Sequence, residues 1–387
     1  MNDPRMREAE TMMPVYGQLP FVPVRAAGCD IITEDGRRIL DLYGGHAVAA
    51  LGYGHPNLSD AIRRQVDTLL FQSNAVAVEV RAEAAEKLLS VSPDGLGSVL
   101  FVNSGAEANE NALRMACIAT GRNKVLAITH GFHGRTAAAA AVTWNSDRWY
   151  GFANKPFDVD FITRDDIDSA KALIDDSIAA VIFEPVQGVA GGYDLSHDFV
   201  VALRELTAKH GVVLIADEVQ TGMGRSGQFF AVQAHNTTPD ILTSAKSLGG
   251  GIPCGAVVAT KTIADKFGVG DLGTTFGGGP VAAAAIIAVI DTIIEENLLA
   301  NVRAREAQIR ETCRVGPVER IQGMGLLLGL ICDRPAKEVR DALIEQDVLA
   351  GTSADPHSLR ILAPLVIEPG HVEHLADALK TIPPGNH

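Results

Sequence analysis

Between about Val99 and Val258 the chain repeats one pattern: a short, unbroken apolar run, a turn, and a stretch with helical spacing. The runs are "SVLFVNSG", "KVLAITHGFHG", "IAAVIFEPVQG", "VVLIADEVQTG", "DILTSAK" and "CGAVVAT". Val, Ile and Leu without polar alternation suit strands buried on both faces. The intervening "AEANENALRMACIATG" and "FVVALRELTAKHG" have helical spacing and stop at glycine. The pattern therefore predicts an α/β fold with a mostly parallel central sheet covered by helices. In such sheets a ligand site forms at the carboxyl ends of the strands. Ser104, Phe132, Glu184, Asp217 and Lys246 each follow an apolar run.

After an alanine-rich helix expected from Pro280 to about Leu299, a second α+β pattern follows in "GPVERIQGMGLLLGLICD", "AKEVRDALIEQDVL", "LRILAPLVI" and "GHVEHLADALKTI". This divides the chain into a large domain over 51–300 and a small C-terminal domain over 301–387. The N-terminal segment 1–50, with short strands in "DIITEDGRRILDL", is expected to pack with the small domain. The length of 387 residues fits this two-domain reading. A net charge of -14 argues against nucleic acid or an anionic membrane as partner. Five scattered cysteines without a CxxC pair read as reduced thiols. "MNDPRMREAETMMPVYGQLP" has no apolar core of signal-peptide length, and "PVAAAAIIAVIDTII" is too short to span a bilayer. The expected location is cytoplasmic.

Three strand ends carry chemistry. In "FVNSGAEANENALRMA" a strand ends in Asn-Ser-Gly-Ala and a helix opens, which makes a backbone cradle for phosphate. In "VVLIADEVQTGMGRSG" Asp217 and Glu218 close an apolar strand, where a desolvated carboxylate needs a donor or its pKa climbs. In "TSAKSLGGG" Lys246 follows an apolar run, although lysine is among the residues least often buried. A phosphate cradle, a buried aspartate and a strand-end lysine meet the needs of pyridoxal phosphate: an amine for its aldehyde, a helix start for its phosphate, and an acid for its ring nitrogen. "GMGRSG" has dinucleotide-type glycine spacing, but "DEVQT" separates it from the strand and no helix opens after it. No metal is expected: His130 and His133 in "HGFHG" lack further ligands nearby.

"SGAEANENALRMA", "GFHGRT", "EPVQG", "DEVQTGMGRSG", "SAKSLGGGIPCGA" and "GTTFGGGP" together resemble the motif set of the class III aminotransferases, the acetylornithine, ornithine and 4-aminobutyrate type, from about residue 15 onward. The resemblance implies the type I pyridoxal-phosphate fold with a seven-stranded type of sheet, a homodimer with shared active sites, and a ping-pong amino-group exchange. It implies that Ser104, Gly105 and Ala106 form the phosphate turn and that Phe132 stacks on the cofactor ring. Asp217 would meet the ring nitrogen, Val219 the ring face and Gln220 the phenolic oxygen, with Lys246 as the Schiff-base lysine. Thr275 would reach the partner subunit's phosphate, and Thr274 would lie beside the substrate. Arg135 matches the arginine that clamps an α-carboxylate, and Glu184 with Arg360 match a pair that lets one pocket accept both the amino donor and 2-oxoglutarate.

The chain departs from the usual family pattern at Val189 (in place of a carboxylate), Gly279, Ala49 and Tyr53. These are side-pocket positions, which bear on the tail of the donor rather than on the cofactor. The activity implied is transfer of the terminal amine of N2-acetylornithine, or of a close acyl-ornithine or acyl-lysine analogue, to 2-oxoglutarate in arginine or lysine biosynthesis. The alternatives are an ornithine, 4-aminobutyrate or other omega-amino-acid transaminase, or an aminomutase on the same fold. The glycines after Lys246 are expected to let the backbone turn so that the amine faces the cofactor. A bulky residue there should then cost cofactor binding before folding.

Overall fold

The computed structural model describes residues 3–385; the outermost ends of the domains expected to start at 1 and finish at 387 lie outside the described residues. Seven strands form the central sheet: β1 (Leu96–Val102), β2 (Lys124–Ile128), β3 (Asp158–Ile162), β4 (Ala180–Phe183), β5 (Val213–Asp217), β6 (Ile241–Ser244) and β7 (Gly255–Thr260). Their order across the sheet is β1-β7-β6-β5-β4-β2-β3. All neighbours pair in parallel except β7, which is antiparallel to both β6 and β1. Six strands therefore point the same way and β7 alone is reversed.

The reversal follows from chain length. The stretch 245–254 between β6 and β7 holds only a short 3-10 turn at Lys246–Gly249, too little for the crossover that a parallel partner needs. Strand β3, with the sequence "DVDFI", is missing from the apolar runs because two of its five residues, Asp158 and Asp160, are acidic and exposed on the sheet edge. The inner strands are fully apolar and buried: Ala180–Phe183 and Val213–Ala216 have almost no exposed surface. Each Val, Leu, Ile or Phe among them contributes about 1.5–3 kcal/mol through burial.

Helices cover both faces. Helix α1 (Gly105–Thr120) follows β1 and ends at Gly121, whose φ of 68° supplies the left-handed cap. Helix α2 (His197–His210) precedes β5, and α3 (Pro280–Glu295) packs on the helices Pro56–Thr68 and Glu79–Val91. Helix α3 stops at Glu295, earlier than the alanine-rich pattern suggests. Asn297, at φ 51°, breaks it before a separate helix α4 (Leu298–Thr312). Among the described residues, no helix is long and apolar enough to cross a membrane.

Beyond α4, the strands Val318–Met324, Leu327–Cys332 and Ser358–Ile361 form an antiparallel sheet. A second sheet joins Pro23–Ala27, Asp30–Thr33 and Arg38–Asp41 to Val348–Leu349, with Val348 paired to Leu40. The chain's beginning is thus hydrogen-bonded into its last third.

Because six strands run one way, everything just past them collects on one edge. Ser104 follows β1, Phe132 follows β2, Arg164 follows β3, Glu184 follows β4, Asp217 ends β5 and Lys246 follows β6. The reversed β7 brings its start, Pro253 and Cys254, to the same edge.

Candidate active site

A cavity of about 510 Å³ opens on this edge. Ser104, Gly105 and Ala106 line it at the start of α1, and Phe132, Arg135, Glu184, Asp217, Val219, Gln220 and Lys246 complete the set expected from sequence. Thr274, Thr275 and Arg360 do not line it.

At the mouth of α1, Ser104 caps the helix by accepting from Glu107 N at 3.1 Å. The first-turn amides of Gly105 and Ala106 have no intrahelical partner and are available to an anion. Gly105 must be glycine: a Cβ there would approach Val219 Cγ1 to 2.6 Å. Alanine would force Val219 away from the cavity wall.

Asp217 is 3% exposed, and its charge is fully provided for. Oδ2 accepts from Asn109 Nδ2 and from His133 Nδ1, each at 2.7 Å, and Oδ1 accepts from Val219 N at 3.0 Å. Asn109 is itself fixed, accepting from Thr243 Oγ1 at 2.7 Å and donating to His133 O at 2.8 Å. His133 N donates to Thr143 Oγ1 at 2.9 Å. Two members of this set, Asn109 and His133, escaped the sequence reading. The available signal was their position: Asn109 sits on the buried face of the helix that Ser104 caps, and His133 follows Phe132 directly. His133 is turned to Asp217, and His130 lies tilted against Trp144, their ring centres 5.7 Å apart.

The neighbouring Glu218 goes the other way. It is completely buried, accepts from Val232 N at 2.8 Å and from Thr221 Oγ1, and burial pushes its carboxyl up to about 7. It anchors the turn after β5 and does not line the cavity.

Lys246 sits at φ 47°, a left-handed conformation that costs a side-chain-bearing residue about 1–2 kcal/mol. Its amine makes no hydrogen bond or ion pair among the described residues. Burial lowers its pKa, opposed by the charges of Asp217 and Glu184. A strained, unpartnered, desolvated lysine is what a nucleophilic amine requires. Gly250, at φ 57°, is packed hard: a Cβ there would meet Leu58 Cδ2 at 2.7 Å and Val289 Cγ2 at 3.0 Å. A Cβ on Gly249 would meet Cys254 Sγ at 2.6 Å. Gly250 and Gly251, at φ 57° and 127°, make the expected turn. Gly250 also presses against helices Pro56–Thr68 and α3, and Gly249 against Cys254, so bulk at either place disturbs packing directly.

Glu184 is 5% exposed and accepts from Phe132 N at 2.8 Å. Burial, with Asp217 adding to it, raises its carboxyl to about 7. The pairing of Glu184 with Arg360 is not made in this structure. Arg360 instead donates to Thr352 O at 2.7 Å, Gly188 O at 3.2 Å and Tyr43 Oη at 2.7 Å, which occupies its fork. Thr274 reaches the cavity only through Asn103, which lines it and donates to Thr274 Oγ1 at 3.0 Å. Thr275 is exposed on the surface next to Phe276, away from this chain's own cavity.

Arg135 is exposed at the rim, its guanidinium 5.7 Å from the Phe132 ring centre and 5.1 Å from that of Trp149. Gln220 lines the cavity with its buried Oε1 unpartnered. Of the departures from the family pattern, Val189 lines the cavity, Ala49 is buried, Tyr53 donates to Asp41 Oδ2 at 2.5 Å, and Gly279 stands before α3 with no side-chain cap.

These residues fit a flat ring bearing a phosphate, a basic ring nitrogen and an aldehyde. Free helix-start amides, a buried and oriented carboxylate, an unsatisfied Gln220 oxygen and an unpartnered amine face one space. The chain matches the class-III aminotransferase family over residues 11–382. It is 40% identical to an acetylornithine aminotransferase of Corynebacterium efficiens over 384 residues, 96% of this chain and 95% of that one. It is 39% identical to one from Methanopyrus kandleri, covering 95% and 96%. Among solved structures, an ornithine aminotransferase from Toxoplasma gondii, with partial occupancy of PLP at its active site, superposes with a TM-score of 0.91 at 26% identity, covering 98% and 94%.

Proposed function

The chain belongs to the class-III aminotransferases, and on that premise we propose that it moves the terminal amino group of N2-acetylornithine, or of a close acyl-ornithine or acyl-lysine analogue, to 2-oxoglutarate. Enzymes of this family exchange an amino group between a small-molecule amine and a keto acid, on the type I fold and with pyridoxal phosphate. The observation that carries the proposal is that Lys246, Asp217 and Arg135 line one cavity in a chain 40% identical to an acetylornithine aminotransferase.

When bound, pyridoxal phosphate supplies a sink for the electrons released as the donor's C–H bond breaks. Lys246 supplies the amine that holds the aldehyde, and later takes and returns the proton at the donor carbon. The lowered pKa of Lys246 favours its neutral, basic form. Asp217 would hold the proton on the ring nitrogen, with Asn109 and His133 keeping its oxygens aimed. The Gly105 and Ala106 amides, with Ser104, would hold the phosphate; Phe132 and Val219 would meet the ring and Gln220 the phenolic oxygen. Arg135 binds the donor's α-carboxylate bidentately. Thr274 stands beside the substrate. Glu184 would turn to Arg360 while the donor is bound and leave it for the α-carboxylate beside the keto group of 2-oxoglutarate, whose distal carboxylate would take Arg135.

In this reading the protein is a cytoplasmic homodimer serving arginine or lysine biosynthesis, with Thr275 reaching the partner subunit's phosphate. The large unit is 51–300, and 301–387 forms a small unit with 1–50. The test offers the holoenzyme acetylornithine, ornithine and 4-aminobutyrate in turn and measures glutamate formed from 2-oxoglutarate. The expected result is fastest glutamate production from acetylornithine. A fast response only to 4-aminobutyrate, or a racemised or decarboxylated product without glutamate, contradicts it.

A further inference from the structure

Four consecutive residues, Gly44, Gly45, His46 and Ala47, stand at φ 55°, 57°, 64° and 64°. Left-handed backbone is unfavourable for residues with a side chain, and such strain lasts only where the surroundings fix it. Here both ends are fixed. A Cβ on Gly44 would meet Leu362 O at 2.8 Å, and Ala47 O accepts at 2.8 Å from Ser247 Oγ, on the residue after Lys246. The turn lays His46 over Tyr43, with their ring centres 4.7 Å apart and His46 Nδ1 at 2.9 Å from Tyr43 Oη. Tyr43 is held as well: its N donates to Asp41 Oδ1 at 2.8 Å, and its ring fills the space that a Cβ on Gly351 would need.

The phenol oxygen so placed accepts from Arg360 Nη2 at 2.7 Å, which leaves its own proton for His46 Nδ1. Of the three acceptors around Arg360, Thr352 O and Gly188 O are main chain, and Tyr43 is the one side chain. The backbone of Arg360 is itself bonded to Gly351 in both directions, at 2.8 and 2.9 Å. Nη2 is therefore the donor that can change partner. We infer that Tyr43, backed by His46, is a positioning residue that latches Arg360 away from Glu184 and so sets how readily the site takes 2-oxoglutarate relative to the amino donor. The inference rests on the reading of Glu184 and Arg360 given above. For the two to pair, Glu184 must give up Phe132 N, which it holds at 2.8 Å, and Nη2 must give up the phenol. Without the phenol oxygen, Nη2 of a residue only 7% exposed is left unmet, and an unmet buried donor is costly. Glu184 is the carboxylate whose charge Arg360 feels, and a charge-assisted bond to it is the replacement at hand. Arg360 then closes on Glu184 and is withdrawn from the α-carboxylate of 2-oxoglutarate.

The test measures the two half-reactions of the holoenzyme separately. Tyr43→Phe keeps the ring against Gly351 and removes only the latching oxygen. It raises the KM for 2-oxoglutarate roughly tenfold, as loss of one hydrogen bond to a charged group implies, and leaves the acetylornithine half-reaction unchanged or faster. His46→Ala takes away only the acceptor behind the phenol, and moves the same KM in the same direction by less. Glutarate has both carboxylates of 2-oxoglutarate and no keto group, so it gives a readout without turnover. Its dissociation constant, from calorimetry, rises together with the KM. On a Glu184→Gln background, where the competing charge is gone, Tyr43→Phe changes either constant by no more than about twofold. Equal losses in both half-reactions, or a Tyr43→Phe penalty that survives intact beside Glu184→Gln, make Tyr43 a packing residue and overturn the latch. An unchanged KM for 2-oxoglutarate overturns it too. If the unsubstituted enzyme passes no amino group to 2-oxoglutarate from any donor, the acceptor reading itself fails and the latch falls with it.

Discussion

The floor and the rim of the active cavity are built on opposite principles. On the floor, Asp217 is 3% exposed and held by three donors, and His133 and Asn109 are themselves pinned. On the rim, Arg135 is exposed, stacked loosely between two aromatic rings and free of partners among the described residues. The floor is preorganised for chemistry common to a whole family, where a misplaced charge would be costly. The rim leaves its donors unspent for whatever ligand arrives. The difference teaches that catalysis and selectivity occupy separate layers of this site and should be separable by mutation.

The largest expected effect is at the floor. Lys246→Ala removes both the holding amine and the proton carrier, and turnover should fall by roughly a thousandfold or more while circular dichroism stays native. Asp217→Asn keeps the shape but removes the charge that His133 and Asn109 surround. Loss of one preorganised electrostatic partner costs roughly a hundredfold or more in kcat, so kcat should drop by that much with little change in donor KM. At the rim the signature should invert: Arg135→Ala raises donor KM by roughly tenfold to a hundredfold, the worth of a charged hydrogen-bonded pair, and moves kcat less. Equal losses in kcat and KM at both places would erase the distinction between the layers.

Much of the floor was legible in sequence because its parts obey local rules. A phosphate turn needs a strand, small residues and a helix start in that order, and "FVNSGAEANENAL" supplies them contiguously. Lys246 and Asp217 follow long apolar runs that leave no doubt about the strands. Asn109 and His133 were invisible because their role depends on which helix face and which loop meet Asp217, a tertiary fact. The Glu184–Arg360 pairing failed to form for a similar reason: three backbone and side-chain acceptors, from Thr352, Gly188 and Tyr43, compete for one guanidinium.

Smaller effects sharpen the picture of a rigid floor. Gly250→Val pushes a side chain into Leu58 and Val289 at an unfavourable φ, and should cost about 1–3 kcal/mol in denaturant unfolding. Cofactor affinity in the protein that remains folded should be nearly unchanged. The smallest effect is pH-dependent. The folded-state pKa of Glu184 is raised to about 7 from 4.5, so the stability this group contributes is present below about pH 4.5 and is lost as pH rises through 7. Glu184→Gln should therefore gain Tm relative to the parent on going from pH 5 to pH 8. A constant difference across that range would show that Glu184 stays ionised.

The central claim is that Lys246, strained and unpartnered, is the amine that holds the cofactor. Borohydride reduction of the purified yellow holoenzyme, followed by peptide mass mapping, tests it directly. The account predicts a pyridoxyl-phosphate mass addition on the peptide containing Lys246 and on no other. Labelling of a different lysine, or no labelling of a coloured protein, would contradict it.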